Sequence, residues 1–143
     1  MVHLVDIDNE VGQTDLEVNE DQQSYVCTSL VMLGRAWLHR KLRPRVFNVY
    51  DDETAVGMGM YLDDPEKNAY GFCQLFIDKH YQGKGYGKAA VGLVLAAMKE
   101  EGKYPKVSMC YVEGIDASRK LVERFGFVEV SHPWDEIFME RTL

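Results

Sequence analysis

The period of apolar and polar positions changes several times along the chain, and each change marks an element. Positions 3–6 read as a short strand. From 20 to 39 the spacing is helical, with Tyr25, Val26, Leu30, Leu33, Trp37 and Leu38 near one face. Gly34 can divide that stretch into two helices, and Pro44 closes it. Positions 45–50 and 54–61 alternate around Asp51-Asp52-Glu53, a hairpin pattern. A polar loop, 63–68, then leads into the apolar run 70–77, a buried strand. Ala90, Val91, Val94, Leu95 and Met98 form the next helical pattern, ending near Gly102. A strand at 107–112 follows, and Asp116 opens a helix that stops at Gly126, a left-handed cap. Strands at 127–130 and 137–141 close the chain. The order predicts a mixed α/β (α+β) domain spanning 1–143, with six to seven strands.

Composition narrows the function. The chain has 143 residues, 46% hydrophobic, enough for one core and too short for two. Its formal charge of −7 argues against a nucleic-acid partner, whose phosphates need a basic face. Cys27, Cys73 and Cys110 stand far apart, with no zinc or disulfide pattern, as expected in a reducing cytoplasm. His39, His80 and His132 lack metal-ligand spacing, so no metal is expected. The first ten residues carry Asp6, Asp8 and Glu10 and no basic apolar leader. The apolar run 89–98 is shorter than the ~20 residues a bilayer crossing requires, so no membrane role is expected.

The strongest chemical signal is Gln82-Gly83-Lys84-Gly85-Tyr86-Gly87 at a helix entry. Its glycines permit positive φ and close ligand approach. The helix start aims free N–H groups and its positive dipole end at the loop, which suits a pyrophosphate. Lys84 and Lys88 add charge at the rim. The Walker pattern fails because Gly87-Lys88 is followed by Ala89. The dinucleotide pattern GxGxxG fails because Gly83, Gly85 and Gly87 alternate.

Gln82-x-x-Gly85-x-Gly87 resembles the Q/R-x-x-G-x-G/A signature of the GNAT N-acetyltransferases. Leu75-Phe76-Ile77-Asp78 before it and Leu121-Val122-Glu123-Arg124-Phe125-Gly126-Phe127 after it extend the resemblance. The run from Phe76 through Gln82 to Ala90 is most similar to bacterial spermine/spermidine acetyltransferases, with weaker support from Gln23-Ser24-Tyr25-Val26. The resemblance implies about four helices around one mixed central sheet and an acetyl-CoA cleft between splayed strands 70–77 and 107–112. Backbone groups of Phe76 and Ile77 would pair with the pantetheine arm. Gln82, Gly83, Lys84, Gly85, Tyr86, Gly87 and Lys88 would hold the pyrophosphate. The acceptor would be a small cationic amine, attacking the thioester directly, and homodimers are common in the family.

Some positions depart from the family pattern. Val122 stands where the family has its thiolate-protonating tyrosine, and Cys73 and Gln74 stand where some polyamine enzymes have an acid. Tyr111 and Cys73 are the substitute candidates for proton transfer. Glu20, Asp21, Asp63, Asp64, Glu66 and Glu113 are candidates for an amine's counter-charge, each expected to be a solvated surface group. Trp37 is expected in the core, or with Tyr25 as an aromatic wall for an alkylammonium. Two other readings remain: a weakly catalytic CoA-binding module, or acetylation of protein N-termini, lysine or aminoglycosides.

Overall fold

The computed structural model describes residues 1–8, 15–23, 27–112 and 116–143, with backbone alone at 111–112 and 116–118. Seven strands form one sheet: β1 (Val2–Asp6), β2 (Arg45–Asp51), β3 (Thr54–Asp64), β4 (Ala69–Ile77), β5 (Lys106–Val112), β6 (Val128–Ser131) and β7 (Glu136–Thr142). Their order is β1-β2-β3-β4-β5-β7-β6. The β4–β5 pair is parallel and the other neighbours are antiparallel. A parallel pair needs a crossover, which α2 (Tyr86–Glu101) supplies. α1 (Ser29–Leu38) precedes β2, and α3 (Asp116–Arg124) lies between β5 and β6.

The two sheet faces bury different sets. Ala90, Val91, Val94, Leu95 and Met98 of α2 and Val122 of α3 pack with Phe47, Val49, Tyr70 and Phe72 on one face. Met32 of α1 packs with Met58, Met60 and Phe76 on the other. Gly102, with φ +68°, ends α2, and Gly126, with φ +88°, follows α3 as the spacing predicts.

Four expectations change. The helix predicted over 20–39 is a 3₁₀ turn, Glu20–Gln22, followed by α1, with 24–26 outside the described residues. Gly34 does not break α1, so the described residues hold three α-helices, against the four implied. Trp37 is 66% exposed rather than in the core, because α1 seats Met32 and Leu33 on the sheet and turns its other side outward. Asp63 is 4% exposed rather than solvated. β3 runs on to Asp64, and the Asp63 carboxylate accepts from Arg45 at 2.9 Å, Arg43 at 3.3 Å and Lys103 at 2.8 Å. Glu101 at the end of α2 accepts from Arg43 and from the Tyr70 hydroxyl, so this cluster ties the helix to the sheet.

Candidate active site

β4 and β5 pair only at their beginnings, Tyr70 with Val107 and Gly71 with Ser108. Beyond that point β4 keeps its partner β3 on one side and leaves its other edge open. The cause lies in the register. Tyr61 pairs with Phe72 and Met60 with Gln74, so Cys73 is an extra residue on β4. Such a bulge bends its strand and re-aims side chains. Here it places Cys73 and the following Gln74 in the lining of the same cavity beneath α1, where regular alternation would separate them.

Alternation beyond the bulge decides which backbone groups face the opening. A Cβ added at Gly59 would meet the Gln74 carbonyl, and one at Gly57 the Phe76 carbonyl, while Asp78 N–H donates to Val56. Residues 74, 76 and 78 therefore address β3, and Leu75 and Ile77 address the open edge. Phe76, expected to offer its backbone outward, instead turns its carbonyl to β3, while its side chain is buried with Met58 and Met60. Leu75 was not among the expected residues; the signal for it is the register, which spacing alone does not carry.

The strand end is fixed before the loop begins. The buried Asp78 carboxylate accepts from the backbone N–H groups of Glu17 (3.0 Å) and His80 (2.9 Å). Burial opposes its ionisation, but these bonds and the adjacent His80 ring together hold it below the usual carboxylate range. Gln82 donates to the Ile77 carbonyl at 2.9 Å and to Gln22 at 2.8 Å, and accepts from Asn19 at 3.2 Å. Its amide therefore clamps the loop between β4 and the 3₁₀ turn.

Gly83 and Gly85 take φ of +78° and +86°, and a Cβ at either would meet nothing within 4 Å. Conformation, not packing, requires these glycines. Gly85 caps α2, whose first helical bond is Ala89 N–H to the Gly85 carbonyl. The N–H groups of Tyr86, Gly87 and Lys88 have no partner among the described residues, and the first turn holds no acid. Lys84 and Lys88 are exposed beside them. Tyr86 turns away, its hydroxyl donating to Asp51 at 2.6 Å. That bond holds Asp51 low and pushes Tyr86 up.

The cavity beneath α1 measures about 350 Å³, and its lining includes Cys27, Arg35, His39, Asp64, Cys73 and Gln74. Cys27 donates to Gln74 Oε1 at 3.0 Å. A second cavity of about 330 Å³ shares Cys27 and reaches Phe76. Cys73 is exposed at the cavity surface, and loss of water around its thiol pushes it up to about 11. Val122 is buried in the core and offers no proton. Tyr111 pairs through its backbone with Ile137, at the open end of β5; its side chain, and Tyr25 and Glu113, lie outside the described residues. No group of metal-ligating side chains occurs among the described residues.

A profile of the acetyltransferase (GNAT) family matches residues 11–127. The chain belongs to that family. It is 31% identical over 132 residues to a probable spermine N(1)-acetyltransferase of Bacillus subtilis subsp. natto, covering 88% of this chain and 86% of the relative. A spermine/spermidine N(1)-acetyltransferase of Bacillus subtilis strain 168 is 30% identical over the same shares. The spermidine N-acetyltransferase of Vibrio cholerae, solved with CoA and spermine, superposes with a TM-score of 0.77 at 19% identity, covering 99% of this chain and 95% of that one. A Thermoplasma acidophilum N-acetyltransferase solved with coenzyme A gives 0.64 at 17% identity, covering 80% and 69%. This GNAT protein is thus an acetyltransferase, and its fold is that of the solved acetyltransferases it superposes on.

Proposed function

We propose that this chain, as one acetyltransferase domain, transfers an acetyl group from acetyl-CoA to a primary amine of a small polycation, with spermine or spermidine as acceptor. The observation that carries the reading is the opening between β4 and β5 beside a helix start with free N–H groups. The residues present fit acetyl-CoA. The N–H groups of Tyr86, Gly87 and Lys88 suit the pyrophosphate, with Lys84 and Lys88 at the rim. The backbone of Leu75 and the N–H of Ile77 face an extended amide-bearing arm, as an added strand would require. Acetyl-CoA supplies an activated thioester carbonyl that a neutral amine can attack. Gln82 holds the loop rather than the ligand, because its amide is already bonded.

The chain's part in the chemistry is orientation, N–H donation to the carbonyl oxygen from the open edge, and exclusion of water. Tyr111 is the better candidate for the leaving sulfur's proton. Cys73 holds its own proton more tightly than an ordinary thiol, which makes it a poor donor. Val122 favours a second reading, a CoA-binding module with weak turnover. Free-thiol release from acetyl-CoA with a panel of amines separates the two. Turnover with spermidine far above the amine-free rate is expected, and binding without turnover on any amine would refute the first reading.

Partner and setting belong to the same proposal. α1 leaves Leu30, Val31, Trp37 and Leu38 exposed along one side, a ridge that a second copy would cover in a homodimer. Leu38→Glu should then shift the elution volume to that of a monomer. No helix among the described residues is long and apolar enough to cross a membrane, and the three cysteines are free, in keeping with the cytoplasm.

A further inference from the structure

Arg35 is an exposed cation at the rim of the cavity beneath α1, and the described fold does not use it. It makes no hydrogen bond or ion pair with any described residue. Four other basic groups nearby are engaged: Arg43, Arg45 and Lys103 on Asp63, and Lys67 at 3.9 Å from Asp64. The titratable groups facing the same space are Cys27 and His39 at the two ends of α1, Asp63 and Asp64 from β3, and Cys73 from β4. Asp63 is shared by three cations and Asp64 lies beside Lys67, so among the described residues no carboxylate forms an ion pair with Arg35.

The acetyl-transfer reading, on which this inference rests, leaves a problem. An alkylamine with a pKa near 10.4 is almost wholly protonated at neutral pH, and a protonated nitrogen has no lone pair to attack with. The strand positions suited to a carboxylate base hold Cys73 and Gln74. A neighbouring cation is an alternative means of freeing an amine.

We propose that Arg35 activates the acceptor electrostatically, by making a second positive charge in the cavity unfavourable, so that the reacting amine binds in its neutral form. The ammonium proton passes to solvent before the reaction. The nitrogen lone pair then forms the C–N bond to the acetyl carbon, the C–S bond breaks, the amide nitrogen loses its extra proton, and the sulfur gains one. The field at the bulge has the required sign. After burial, which raises it, the strongest influence on the Cys73 thiol is the Arg35 charge, which pulls it down more than Asp64 pushes it up.

The test compares wild type, Arg35→Gln and Arg35→Lys with spermidine. In Arg35→Gln the rising limb of kcat against pH should move up by about one unit, with about a tenfold loss near neutrality. The limb of kcat/KM belongs to the free amine and should stay in place. Arg35→Lys should restore the wild-type profile. Trifluoroethylamine, already neutral at pH 7, should be acetylated equally by all three. Calorimetry of spermidine binding without acetyl-CoA, near pH 9.5 in buffers of different ionisation enthalpy, gives a readout independent of turnover. Wild type should release about half a proton and Arg35→Gln close to none. An unchanged kcat limb and unchanged proton release, or a loss equal at every pH, would overturn the role of Arg35 and leave acetyl transfer standing. Failure of wild type to acetylate any amine would overturn both.

Discussion

Gly85 is where cofactor binding and folding can be separated most cleanly. Gly85→Val puts a β-branched side chain at φ +86°, the left-handed region, at the cap of α2. The backbone strain there costs about 1–2 kcal/mol, toward the upper end for a branched residue. No packing cost adds to it, because the new Cβ meets nothing within 4 Å. In a domain of this size that strain lowers Tm by about 3–7 °C and leaves the protein folded at room temperature. The ligand side loses more. Hydrogen bonds to a charged group are worth about 1.5–3 kcal/mol each, so re-aiming one or two of the three free N–H groups weakens binding by about 3 kcal/mol or more. That corresponds to a Kd raised upward of a hundredfold.

The assay is calorimetric titration of wild type and variant with acetyl-CoA, beside thermal melts. Gly87→Ala is the companion. Gly87 lies in ordinary helical backbone, and its Cβ would sit 3.8 Å from Ile77 and Leu121, in normal contact. It should bind acetyl-CoA as wild type does. A folded Gly85→Val with affinity within about threefold of wild type would refute the assignment of the loop to pyrophosphate.

Three further outcomes follow from the described contacts. Asp63→Asn removes the charge from a buried group with three cationic partners and should cost about 3 kcal/mol, read by urea melts at pH 7. Burial works against Asp63's ionisation, but the bonds from Lys103 and Arg45 and the nearby charges hold its pKa below the ordinary carboxylate value. Its stabilisation is therefore present above about pH 4 and lost as pH falls through the lowered folded pKa, and the stability gap between wild type and Asp63→Asn should close in acid. The Cys73 thiol, raised to about 11, should react slowly with iodoacetamide at pH 8 and faster, about tenfold per pH unit, until that value is reached, as peptide mapping would show. Gln82→Ala should cost about 1–2 kcal/mol from its lost bonds to Gln22, Ile77 and Asn19, and should weaken acetyl-CoA binding through disorder of the loop.

Features set by local conformation were legible in the chain, and features set by pairing were not. Gly83 and Gly85 announce a positive-φ turn into a helix because few other residues tolerate that backbone. The 45–61 hairpin follows from alternation around Asp51-Asp52-Glu53, and Gly102 and Gly126 mark helix ends for the same steric reason. The bulge at Cys73 exists only in the register between β3 and β4, so it has no sequence signature, and with it went the outward aim of Leu75. Asp63 looked solvated because its neighbours in sequence are polar. Its partners Arg43, Arg45 and Lys103 come from both directions along the chain. On α1 the helical period was right and the buried side was wrong, since Met32, Leu33 and Ala36 form a second apolar stripe beside Leu30, Trp37 and Leu38.

The division between backbone and side chain bears on the net charge of −7. An anionic cofactor would ordinarily be disfavoured by an acidic chain, but the groups facing the proposed pyrophosphate position are N–H dipoles at a helix start, with no acid in that first turn. Binding of this kind would depend on backbone conformation, so it would tolerate Val122, Cys73 and Gln74, none of which supplies a charge. Proton handling has no such protection, because it needs a titratable or charged side chain in the right place. Among the described residues lining the cavity beneath α1, Arg35 is the arginine or lysine that no partner engages. Substitutions in the glycine loop should therefore act on acetyl-CoA affinity at every pH, and substitutions at Arg35 on the pH profile of turnover at saturating acetyl-CoA. A variant that moved both together would show that the two halves of the site are coupled through β4, whose bulge at Cys73 is the structural element they share.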